Sequence, residues 1–142
     1  MKWILAFVLL LTTTKNDNEG WELFQKVIFT PEYFEEVNAY FEVPKFNEEL
    51  LAIEGEEVTL TGYVIPFESD SLFMLSALPF ASCFFCGGAG PETAAEIVLK
   101  NPSKKLILDD LVTIKGTLEL NSTDINHLNF ILKKAIFVKS TD

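Results

Sequence analysis

Arginine is absent from this chain of 142 residues, histidine occurs once and cysteine only twice. Nucleic-acid binders present a basic face whose arginines fork onto phosphates and stack on bases. Here 21 acidic residues stand against 11 lysines, and the net charge of −10 repels a phosphate backbone. No nucleic-acid partner is therefore expected. A single histidine with no accompanying nucleophile motif builds no Ser-His-Asp catalytic set. Two cysteines allow one Cys-x-x-Cys pair, whereas a full zinc ligand set of this type repeats the motif. The pairs Glu35-Glu36, Glu48-Glu49 and Glu56-Glu57 lack the loop spacing of a calcium site and read as solvated surface. The glycine-rich Gly87-Gly88-Ala89-Gly90 has no following Lys-Ser/Thr, so it reads as a turn and not as a phosphate loop.

What is present is apolar. Hydrophobic residues make up 49 % of the chain and aromatics 13 %. A single domain of this size buries roughly two-thirds of its unfolded surface. The chain opens with Met1-Lys2, the apolar run Trp3 to Leu11 and a polar stretch from Thr12 to Asn18. That order is the signature of a secretory signal peptide. The run is about half the ~20 residues that cross a bilayer as a helix. The expectation is a signal over residues 1–14, then one domain over 15–142, periplasmic or secreted, with no stable membrane insertion after cleavage.

The stretch from Trp21 to Phe46 is rich in aromatics with a mixed period. Thr30-Pro31-Glu32 is able to open a helix, and Tyr33, Val37, Tyr40 and Phe41 have helical spacing, after a short strand at Val27 and Phe29. Asn47 to Ile53 predicts a short helix capped by Asn47 and ended by Gly55. Strand patterns follow at 58–64, 72–78, 95–99, 112–120 and 128–138, the last slipping phase near Lys133-Lys134 as a bulge would. The first and fourth of these rhyme, each with a mid-strand glycine, Gly62 and Gly116, on its apolar face. Glycine there lets a strand bend sharply or another backbone approach. The fold expected is mainly β, a five-stranded OB-like Greek-key barrel with an N-terminal aromatic-rich extension and short helices.

The segments Pro44-Lys45-Phe46, Leu51 to Gly55, Val58 to Pro66 and Leu72 to Leu75 resemble a family of exported bacterial OB-like domains catalogued as a domain of unknown function. The resemblance covers most of the chain after the leader. It implies an exported barrel with no assigned activity. The family pattern places a Cys-x-His and a proline run after the second strand. This chain reads Cys83-Phe84-Phe85-Cys86-Gly87-Gly88-Ala89-Gly90-Pro91, with cysteine in place of histidine and one proline, so a family site transfers only in part.

Cys83 and Cys86 admit several readings. They suit a local disulfide closing a tight turn in an oxidising compartment, or a redox pair, although no helix runs through the glycines that follow. As free thiols they are buried filler. As thiolates they supply two ligands for zinc or copper, with His127 as a third and Asp124 or Glu92 as a fourth. Counting barrel strands alternately up and down puts the loop after strand two and the loop after strand four at one end. Cys83, Cys86 and His127 then share that end. Phe84 and Phe85 are either filler under the loop or, with Gly87 and Gly88, a contact for a partner. The expected function is an exported, non-enzymatic module that binds a metal ion or a protein partner through this loop. The alternatives are a thiol–disulfide redox protein and a structural barrel with a local disulfide.

Overall fold

The computed structural model describes residues 19–103 and 106–138, so the signal expected over 1–14 lies outside the described residues. In chain order the elements are α1 (Glu19–Gln25), β1 (Ile28–Phe34), β2 (Ala39–Lys45), α2 (Glu48–Ile53) and five further strands. These are β3 (Glu57–Pro66), β4 (Leu72–Ser76), β5 (Ala94–Leu99), β6 (Leu111–Leu120) and β7 (Phe130–Phe137). Single 3-10 turns at Phe80–Ser82, Phe84–Cys86 and Pro91–Thr93 fill the β4–β5 connection. No helix among the described residues is long and apolar enough to cross a membrane.

β3 to β7 close into a barrel of order β3-β4-β5-β7-β6, with β6 returning to β3. Every pairing is antiparallel except β5 with β7. This is the OB-like Greek key that the glycine-bearing strands predict. β3 pairs with β6 from Glu57 to Tyr63 and with β4 from Tyr63 to Pro66. Gly62 sits immediately before that change of partner, where a Cβ would lie 2.5 Å from the carbonyl oxygen of Ser76. A strand shared by two neighbours in this way must bend, and only glycine lets the backbones come so close. The expected slip in the last strand is present: Lys115 and Thr117 of β6 face Ile136 and Lys133 of β7, one residue more on β7, with Lys134 at φ 49°.

The interior is filled by alternate residues of the strands, among them Leu60, Phe73, Leu75, Ile97, Ile114, Leu118 and Leu132, all fully buried. α1 adds Trp21 and Phe24 to this core. Phe24 stacks on Phe130 with ring centroids 3.9 Å apart, and Trp21 donates its indole N–H to the carbonyl of Thr61 at 2.9 Å. α1 also touches the 91–93 turn, so it covers the barrel end at which β7 begins. α2 forms as expected, with the Asn47 side chain accepting the Leu50 N–H at 2.9 Å.

The helix expected from Thr30-Pro31 does not form. β1 and β2 make a hairpin in which Tyr33 faces Tyr40 and Phe34 faces Ala39. The reason is that aromatics spaced to share a helix face also meet across a hairpin. Tyr33 and Tyr40 lie 5.2 Å apart by centroids and Phe34 and Phe41 5.5 Å. Asn38 adopts φ 51° in the turn and accepts a hydrogen bond from the Tyr33 hydroxyl.

Candidate functional site

The β4–β5 connection and the β6–β7 loop do arrive at one end of the barrel, and the β1–β2 hairpin meets them there. Between them lies a cleft of about 360 Å³. Its walls are Phe34, Tyr40, Phe41 and Val43 of the hairpin, Phe84, Phe85 and Pro91 of the connection, and residues 122–125 and 127–129 of the loop, including Ile125 and Leu128. The acidic residues and the histidine lining it are Glu42, Asp124 and His127.

The β6–β7 loop owes its shape to Asn121. Its Oδ1 accepts the backbone N–H groups of Thr123 and Asp124, and its Nδ2 donates to the carbonyls of Asp124, His127 and Leu128 at 2.7 to 3.2 Å. The Asn-Ser-Thr at 121–123 is thus a turn whose asparagine is already engaged. At about 1 kcal/mol net per hydrogen bond, and with several weak ones shared, Asn121→Ala is expected to lower stability by roughly 2 kcal/mol. Urea unfolding measures this, and a change inside about 0.5 kcal/mol would contradict it.

His127 is held by a residue that the sequence reading did not single out. Glu96 of β5 is 5 % exposed. One carboxylate oxygen meets His127 Nδ1 at 2.8 Å and the other accepts the Leu128 N–H at 3.0 Å. The hydrogen bond to Glu96, and then its charge, raise the His127 pKa, with Asp124 adding and Lys133 opposing. A raised histidine pKa contributes stability that is complete below the unfolded value near 6.5 and is lost as pH rises through the folded value. Stability is therefore expected to fall as pH rises above about 6.5. His127→Gln should flatten that interval, as urea midpoints against pH would show. The signal for Glu96 was a lone charge in the otherwise apolar strand Ala94-Ala95-Glu96-Ile97-Val98-Leu99.

Cys83 is buried in a small apolar cluster with Ile65, Met74 and Ala94, whereas Cys86 is exposed. Both are free thiols, with sulfurs 3.6 Å apart, and Cys86 Sγ donates to the Phe80 carbonyl at 3.1 Å. The hydrogen bond with Cys83, and then desolvation, raise the Cys86 pKa and keep its thiol protonated near neutrality. Gly87 ends the 84–86 turn at φ 73°, and a Cβ on Gly88 would lie 2.9 Å from the Ser82 carbonyl oxygen. These two glycines shape the loop. Phe84 leans on the Cys83 cluster, and Phe85 is 56 % exposed.

The three-residue metal site expected from Cys83, Cys86 and His127 is not assembled. Among the described residues no three Cys, His, Asp or Glu side chains converge to hold an ion. The topology brings the loops together, and His127 pairs through Nδ1 with Glu96, but its ring does not converge with the two sulfurs on one point. Asp124, a proposed fourth ligand, accepts from the backbone and side chain of Asn126, which lowers its pKa. The sulfurs alone are neighbours, and zinc or copper finds two donors here, not three. Set against known families, curated proteins and solved structures, the chain matches none of them.

Proposed function

We propose that this is an exported, non-enzymatic binding module that holds a cationic, apolar segment of a protein partner at the end of its barrel. The observation that carries the reading is the cleft with aromatic side chains on two of its walls. Tyr40 is 72 % exposed and Phe85 56 %. Exposed apolar surface rimmed by polar groups marks a recognition site, and aromatic side chains supply most of the energy at such sites. Glu42 and Asp124 at the cleft carry the same sign as the whole chain, whose net charge is −10. A field of that sign attracts lysine- and arginine-bearing segments and repels acidic ones. The barrel type adds nothing to this argument, because one fold hosts many functions.

A thiol-exchange enzyme is the weaker reading. Its attacking thiolate needs a helix N-terminus or a neighbouring cation to form near neutral pH. Here glycines follow the pair and the Cys86 thiol is held protonated.

A labelled synthetic peptide of alternating leucine and lysine provides the test, with a leucine–glutamate peptide as control, both read by fluorescence anisotropy. The lysine peptide is expected to bind and the glutamate peptide not to. Phe85→Ala and Tyr40→Ala should each weaken binding about tenfold, equivalent to ~1.4 kcal/mol. Equal binding of the two peptides, or variants that bind like the parent, would overturn the proposal.

A further inference from the structure

We infer that Cys83 and Cys86 are a reversible dithiol–disulfide couple, oxidised by exchange with a small disulfide such as glutathione disulfide, and that its state sets the position of the Phe84–Phe85 wall of the cleft. The second part rests on the reading of the cleft as the binding site.

The sulfurs lie 3.6 Å apart. A disulfide bond is ~2.05 Å long, so closure needs a movement of about 1.5 Å. The segment that must move is a single 3-10 turn, held by the N–H groups of Cys86 and Gly88 to the Cys83 carbonyl, each at 3.2 Å, and by Gly87 N–H to the Phe84 carbonyl at 3.0 Å. Gly87 follows it at φ 73° with open space where a Cβ would lie, so the backbone is free to adjust there. The two thiols also differ in access. An external disulfide reaches exposed Cys86 and not buried Cys83.

The Cys86 thiol loses its proton and attacks one sulfur of the external disulfide, whose other half leaves as a thiolate and takes up that proton. Cys83 then attacks the Cys86 sulfur of the mixed disulfide, and a second small thiol leaves with the Cys83 proton. The protein loses two electrons and two protons, and one small disulfide becomes two thiols. Closure also removes the S–H donated by Cys86 to the Phe80 carbonyl. Phe84 and Phe85 lie between the two cysteines in sequence and line the cleft, so they move with the turn. A thiol held protonated exchanges slowly, which suits a state set by the surroundings better than a catalyst.

The test is equilibration of the protein in glutathione buffers of rising oxidised fraction, followed by acid quench, alkylation and mass measurement. The expected product is the protein lighter by two hydrogens, with no retained glutathione. Cys83→Ala should instead accumulate a glutathione adduct on Cys86, and Cys86→Ala should acquire neither adduct nor internal bond. Two alkylated thiols at every ratio, or a stable adduct on the unaltered protein, would overturn the couple. For the second part, amide resonances of residues 122–129, across the cleft from Phe85, should shift on oxidation, and the leucine–lysine peptide should change affinity about fivefold. Unmoved resonances would overturn the coupling. A peptide that binds neither form would overturn the cleft reading while the mass shift still supports the couple.

Discussion

Gly62→Val is expected to lower stability by about 3 kcal/mol or more, through overpacking against backbone that has no room to yield. A Cβ at this position meets the Ser76 carbonyl oxygen at 2.5 Å and Leu75 Cγ at 3.0 Å. The first of these is backbone in the neighbouring strand, so relief requires β3 and β4 to separate where β3 changes partner. Gly116→Val meets Leu132 Cβ at 2.9 Å, the Lys133 carbonyl oxygen at 3.1 Å and Ala135 Cβ at 3.2 Å. Its penalty should be smaller, because the β7 bulge lies opposite. Urea unfolding of both variants measures the difference. A Gly62 variant within about 0.5 kcal/mol of the parent would contradict the bend in β3.

Phe24→Ala is expected to destabilise by about 3–5 kcal/mol, the range for deleting a buried aromatic side chain. Phe24 is fully buried, stacked on Phe130 within 10° of parallel, and met edge-on by Trp21 at 5.6 Å. The effect should also reach the candidate site. α1 rests against the 91–93 turn, so a loosened helix frees one end of the connection that carries both cysteines. Faster amide exchange at residues 84–93 is the corresponding readout. A loss below about 1 kcal/mol would show that α1 is not part of the folded core.

The barrel was legible because its signals are local. Alternation fixes which strand faces turn inward, and Gly62 and Gly116 marked the two strands that bend. The bulge at Lys133-Lys134 was legible as a break in that alternation. The segment 19–46 was not, because aromatics at three- and four-residue spacing satisfy a helix face and a cross-strand ladder alike. The choice falls to the hairpin through its cross-strand ladder and through the left-handed Asn38, neither of which spacing reveals. The helix that does form, α1, is set by the Phe24–Phe130 contact, more than a hundred residues apart.

At the site, strand counting placed the cysteine loop and the His127 loop at the same end, and the shared cleft agrees. It could not foresee that buried Glu96 would claim the imidazole. A carboxylate sealed in a strand requires partners for both oxygens, and the nearest donors are His127 and the Leu128 N–H. The expected ligand became half of an ion pair that ties the loop to β5. The hairpin's share of the cleft was likewise invisible until that hairpin was known to be one.

Titration of the isotope-labelled protein with the leucine–lysine peptide, followed through its amide resonances, locates the surface that binds. The largest shifts are expected at residues 40–43, 84–91 and 122–129, the three walls of the cleft. Exposed apolar side chains away from the cleft provide the contrast, Leu111 at 63 % and Ile136 at 46 % exposure. Shifts centred on either of these, or spread evenly over the acidic surface, would contradict the assignment of the barrel end as the binding site.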